Sequence, residues 1–151
     1  MKRIFFALVL FTFSAIANAQ VINPVTWTFT AKKTADKTYE LHLTANIQSG
    51  WHMYSQNQPA DAINIPTAIV FTPNPFLTID GKAKEVGKME KYKDARLGIS
   101  ANQYKDQVDF VQKVKLKGSA KTNVTGSVEF QTCDDKKCLP AKKVTFNLAL
   151  K

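Results

Sequence analysis

Apolar and polar residues alternate with a period of two along most of the chain. Val25, Trp27 and Phe29 are separated by threonines. Tyr39, Leu41, Leu43, Ala45 and Ile47 alternate with Glu40, His42, Thr44 and Asn46, while Val108, Phe110, Val114 and Leu116 alternate with Asp109, Lys113 and Lys115. Successive side chains of a strand point to opposite faces, so each run predicts a half-buried β-strand. Further strands are expected at Thr67 to Thr72, Val124 to Cys133 and Val144 to Leu150, and no stretch carries a helical stripe. Several short strands in a chain of this length predict an all-β fold: an antiparallel β-sandwich, with a barrel as the alternative.

Two stretches break the pattern. Ser55 to Pro66 is polar, contains Pro59 and Pro66, and reads as a long surface loop. Lys82 to Ser100, which holds Gly87, Met89, Glu90, Tyr92, Asp94, Arg96 and Gly98, reads as a second one. Long loops on a rigid sandwich are common places for recognition. Neither an internal repeat nor a low-complexity linker interrupts the chain, so a single domain is expected.

The first residues are of another kind. Lys2 and Arg3 precede the apolar run from Ile4 to Phe11, and Ala17-Asn18-Ala19 places small residues at a cleavage site. That pattern predicts a secretory signal peptide over residues 1–19 and an exported domain over residues 20–151. The apolar run is shorter than the roughly 20 residues a membrane span needs, and no later segment approaches that length, so stable membrane insertion is not expected. Cleavage leaves about 130 residues, enough for an ordinary hydrophobic core. Removing Lys2 and Arg3 from a formal charge of +9 leaves +7. The lysines are spread along the whole chain, which favours solubility and acidic partners and argues against nucleic acid.

Cys133 and Cys138 are the only cysteines in 151 residues. Disulfides persist outside the cytoplasm, and Asp134-Asp135-Lys136-Lys137 suits a hairpin turn that can bring the two Cβ atoms within bonding reach. A closed loop of about six residues gives only about 2 kcal/mol on the chain-entropy model, which makes a poor staple. Alternation with Val124, Val128 and Phe130 puts Cys133 on the outward phase. Asp134 and Asp135 follow Cys133 and disfavour a thiolate there, whereas Lys136 and Lys137 precede Cys138 and favour one, so Cys138 ranks as the better nucleophile. Spacing alone leaves two readings open: a working redox pair, or a structural bridge in a non-redox binding sandwich.

Other candidate chemistry is thin. His52, Met53, Met89 and the cysteines would suit Cu(I), but alternation sends His52 and Met53 to opposite faces, with Met53 in the core. No metal or cofactor is expected. His42, beside Glu40 and Thr44, reads as a solvated surface residue. No Ser/His/Asp order and no phosphate-binding glycine loop is present.

The run Phe130-Gln131-Thr132-Cys133 through Cys138-Leu139-Pro140 resembles the active-site hairpin of the periplasmic N-terminal domain of the thiol:disulfide interchange protein DsbD. Gly50-Trp51-His52-Met53-Tyr54 resembles that family's glycine-aromatic strand motif. Tyr92 to Gly98, followed by Tyr104-Lys105-Asp106-Gln107-Val108, resembles its cap loop and the strand after it. The resemblance covers nearly the whole chain after residue 19. It implies an immunoglobulin-like sandwich that relays electrons by thiol-disulfide exchange, with Cys138 as nucleophile and Cys133 as resolver. Asp94, Arg96 and Leu97 would belong to the cap, and His52 and Tyr54 would line the site. Familiar members have one more residue between the cysteines and an aromatic cap residue where this chain has Arg96 or Leu97. The partners implied are thioredoxin-like or other periplasmic redox proteins, with a membrane electron donor on a separate polypeptide.

Overall fold

The computed structural model describes residues 22–150, and the expected signal peptide lies outside them. Nine strands follow in chain order: β1 (Val25–Ala35), β2 (Thr38–Ile47), β3 (His52–Tyr54), β4 (Ala68–Phe71), β5 (Leu77–Asp94), β6 (Ile99–Leu116), β7 (Thr122–Phe130), β8 (Thr132–Cys133) and β9 (Lys142–Leu150). Every pairing among them is antiparallel. There is no helix among the described residues. The expected all-β, immunoglobulin-like antiparallel sandwich is the fold observed.

One sheet has six strands in the order β1-β2-β6-β3-β8, with β5 on the remaining edge of β6; the other is β4-β7-β9. Alternation explains both faces. Tyr39, Leu41, Leu43, Ala45 and Ile47 of β2 and Val108, Phe110 and Val114 of β6 are buried, and they meet Val124, Val128, Phe130, Phe146 and Leu150 from the second sheet. An aromatic seam joins the layers. The Trp27 ring lies 5.9 Å from Phe29, 6.0 Å from Phe110 and 5.3 Å from Phe130, and Phe146 reaches Phe29 at 5.4 Å and Phe71 at 5.6 Å. Burial of such rings supplies the largest apolar contributions to a core of this kind.

The stretch Lys82 to Ser100, expected to be a loop, is instead the greater part of β5, the turn and the start of β6 in a long hairpin. β5 and β6 each run for 18 residues, and only Ala95–Gly98 turns between them. The pattern was hidden because β5 is an edge strand. Its ladder to β6 holds it, while Lys82, Lys84, Lys88, Lys91 and Lys93 keep the edge charged and discourage pairing with other chains. Two register shifts, between Asp80 and Lys84 and between Gly87 and Met89, further scramble the period. At the first of them the buried Gln112 donates from Nε2 to the carbonyls of Asp80 (2.9 Å) and Lys113 (3.0 Å). The Ser55–Pro66 stretch is a loop, as expected.

The second register shift sets up the site. Gly87 pairs with Val108 and Met89 with Tyr104, so β6 bulges through Lys105–Gln107, with Asp106 at φ 62°. Before the bulge, Gln103 and Tyr104 pair with β3; after it, residues from Gln107 onward pair with β2. His42, expected to be solvated, is engaged at this junction's far side: its Nδ1 lies 2.7 Å from Asp109 Oδ2, and Thr44 Oγ1 donates to Asp109 Oδ1 at 3.0 Å. Both contacts are cross-strand neighbours on one face, a relationship that the single-strand pattern does not contain.

Candidate functional site

The expected strand from Val124 to Cys133 is interrupted at Gln131, where the chain leaves the three-stranded sheet and enters the six-stranded one. β8 then pairs with β3, placing Cys133 opposite His52 and Thr132 opposite Met53. This switch resets the phase. Cys133, expected outside, is 2% exposed, and Thr132 is buried beside it. Cys138 is exposed.

The two cysteines form a disulfide and a local antiparallel bridge, closed by Asp134 N–H donating to Lys137 O at 2.9 Å and Leu139 N–H donating to Thr132 O at 2.8 Å. The turn itself is built on Asp134. Its Oδ1 accepts the N–H groups of Lys136 (2.8 Å) and Lys137 (2.7 Å), and those hydrogen bonds hold its carboxyl below the usual carboxylate range. The same device closes the hairpin tip. Asp94 Oδ1 accepts from Arg96 N–H at 2.9 Å and Leu97 N–H at 3.2 Å, and Gly98 supplies the positive φ of 65° that ends the turn. The Arg96 and Leu97 side chains both stand exposed there.

β3 supplies the wall. His52 and Tyr54 share one face of the strand, with their rings 5.5 Å apart and edge-on, while Met53 on the other face is fully buried. The Tyr54 hydroxyl donates to Cys133 Sγ at 3.1 Å, and His52 Nε2 lies 3.3 Å from that hydroxyl oxygen. Tyr54, Cys133 and Ala101 form a small buried cluster apart from the main core. Burial and then the nearby Tyr92 push the Tyr54 hydroxyl pKa up. For His52, burial acts first and Lys105 second to hold the imidazole below 6.5, against opposing pulls from Asp135, Asp134 and Glu90.

Of the residues singled out from sequence, the structure gathers Cys133, Cys138, His52 and Tyr54. Asp94, Arg96 and Leu97 lie on the hairpin tip, where the hydrogen bonds of Asp94 run within the turn. Sequence reasoning missed Ala101, Thr67 and Glu85. Buried Thr67 donates its hydroxyl to the Tyr54 carbonyl. Glu85 accepts from Ser55 Oγ (2.7 Å), Gln56 N–H (2.6 Å) and Tyr104 Oη (2.8 Å), tying the chain just after Tyr54 to β5 and β6. Nothing in one sequence ties a glutamate in a lysine-rich edge strand to a serine 30 residues away. Among the described residues no three His, Cys, Asp or Glu side chains gather to hold a metal ion.

A family model described as the N-terminal domain of the thiol:disulfide interchange protein DsbD matches residues 18–150. No curated protein matches the chain. Among solved structures, the reduced DsbD N-terminal domain of Neisseria meningitidis is similar, with a TM-score of 0.53 and 15% identity over 84% of this chain and 88% of that one. The N-terminal periplasmic domain of ScsB from Proteus mirabilis gives 0.54 and 18%, covering 84% of this chain and 51% of that one, so this chain spans about half of it. A complex between the DsbD and PilB N-terminal domains of Neisseria meningitidis gives 0.51 and 14%, covering 85% and 87%. At these identities the likeness is one of fold.

Proposed function

Because the chain belongs to the family of N-terminal domains of the thiol:disulfide interchange protein DsbD, we propose that it is a periplasmic electron relay working by thiol-disulfide exchange through Cys133 and Cys138. The observation that carries this reading is the asymmetry of the disulfide: one sulfur is exposed on a lysine-bearing turn and the other is buried beneath Tyr54. A closed loop this short adds only about 2 kcal/mol as a staple, so stability alone does not account for it.

In the reduced protein the Cys138 thiolate attacks one sulfur of a partner disulfide, forming a mixed disulfide and releasing the partner's other sulfur as a thiolate. The Cys133 thiolate then attacks Cys138 Sγ; the mixed bond breaks, the partner leaves with both electrons, and this chain is left oxidised. The turn with Asp94, Arg96 and Leu97 is assigned to the cap over this pair. The acceptors are thioredoxin-like or other periplasmic redox proteins, in keeping with a relative's complex with the PilB N-terminal domain, and the donor is a membrane protein on a separate polypeptide. The signal peptide directs export and is cleaved before Gln20, leaving residues 20–151 as the working domain.

The test is a trap. Cys133→Ser should accumulate a reductant-sensitive adduct through Cys138, identifiable by mass spectrometry, and Cys138→Ser should not; the reverse pattern overturns the roles. A reduction potential below about −300 mV, with thiols inert to alkylation, would make the bond a structural one.

A further inference from the structure

Resting on that reading, we infer that Tyr54 and His52 carry the proton of the Cys133 thiol between its buried sulfur and solvent. The resolving step needs Cys133 as a thiolate, because the thiol is not the nucleophile. Yet this sulfur belongs to a side chain only 2% exposed, where burial disfavours the charged form and water has little access. Against it lies the Tyr54 hydroxyl at 3.1 Å, itself 3.3 Å from His52 Nε2. Tyr54 is buried as well, whereas His52 is half-buried, so the three atoms lead from the interior to the edge of the site.

The protonation preferences fit a path that runs outward. Burial and Lys105 keep the imidazole neutral at neutral pH, although Asp134 and Asp135 of the turn and Glu90 of β5 pull the other way. Tyr54 is kept protonated by burial and by Tyr92, so it passes a proton on but does not retain the charge. In the mixed disulfide the Cys133 S–H donates to the Tyr54 oxygen, whose own O–H donates to His52 Nε2. The thiol proton moves to Tyr54 as the hydroxyl proton moves to His52. The freed electron pair on Cys133 attacks Cys138 Sγ, the bond to the partner sulfur breaks, and the partner leaves as a thiolate. The imidazolium then gives its proton to water or to that thiolate. Tyr54 touches the reacting sulfur and is catalytic in this step; His52 acts through it as a positioning residue.

The experiment uses the reduced protein and 5,5′-dithiobis(2-nitrobenzoate), whose coloured thiolate is released twice. Cys138 attack releases the first equivalent and Cys133 resolution the second. Tyr54→Phe should slow the second phase about tenfold or more relative to the first. In the wild type the second phase should fall as pH drops through the lowered His52 pKa, and His52→Gln should both slow that phase and remove the inflection. The rate of the first phase in each variant reports that the site is still folded. Unchanged second phases with an unchanged pH profile overturn the proton path while leaving the exchange reading intact. A wild-type protein that releases neither equivalent overturns both.

Discussion

Cys133 and Cys138 share a bond but not an environment: Cys133 lies in a buried cluster with Tyr54 and Ala101, and Cys138 stands exposed five residues later. The switch of the chain from one sheet to the other at Gln131 produces that difference, because it ends the alternation that would have left Cys133 outside.

Alkylation should therefore be one-sided. With limiting iodoacetamide on the reduced protein, Cys138 should be modified about tenfold faster than Cys133, since reactivity follows thiolate character and access together. Peptide mapping by mass spectrometry reads the ratio directly. Equal labelling, or faster labelling of Cys133, would contradict the asymmetry on which the exchange mechanism depends.

Glu85 should matter for stability without touching either sulfur. Three donors converge on its carboxylate, and one of them, Ser55, is fully buried. Glu85→Ala leaves those donors without their acceptor and should cost about 3 kcal/mol, because an orphaned buried polar group carries its full desolvation penalty. Urea unfolding should show a lower midpoint with an unchanged slope. Glu85→Gln keeps one carbonyl oxygen as acceptor and should lose less.

Stability should fall below neutrality in a window set by His52. Its folded pKa lies below the ordinary 6.5, chiefly through burial and then Lys105. Between that lowered value and 6.5 the unfolded chain binds more protons than the folded one. The contribution is thus fully present above 6.5 and is lost as pH falls toward the folded value. The Asp134 carboxyl, lowered from 3.8 by the turn's N–H groups, acts only at still more acid pH. Thermal melts between about pH 7 and about pH 5.5 should show a decline that is shallower in His52→Gln; parallel curves would show that the imidazole is not the group responsible.

Much of this architecture is legible in the chain because one face of each strand is buried. Tyr39 to Ile47 alternates cleanly and Val108 to Val114 does so except at Val111 and the buried Gln112, and they form the central pair of the larger sheet. β5 is not legible, because its apolar residues keep no single phase: Leu77, Ile79 and Ala83 pack on the core, whereas Val86, Met89 and Tyr92 stand exposed among lysines, and two register shifts fall along the strand. Within the site, Cys133, Cys138, His52 and Tyr54 could be named, since their types and the family resemblance mark them. The inward turn of Cys133 could not, because it depends on a change of sheet partner, and neither could the His42–Asp109 contact, which needs the register between β2 and β6.

Gly126 offers a sharp test of how closely β4, β7 and β9 pack within the smaller sheet. A Cβ built there would lie 2.4 Å from the Val70 carbonyl oxygen and 2.6 Å from Phe146 Cζ. The first neighbour is the backbone of the strand paired beside it, and the second belongs to the aromatic seam with Phe29 and Phe71. Neither can move without opening the β4–β7 ladder or unstacking the seam. Gly126→Ala should therefore destabilise by about 2–3 kcal/mol, as overpacked cores do. Gly118, where an added Cβ would meet nothing within 4 Å, provides the control. Gly118→Ala should leave the urea midpoint nearly unchanged, and a Gly126→Ala protein as stable as that control would mean that β4 sits farther from β7 than the structure places it.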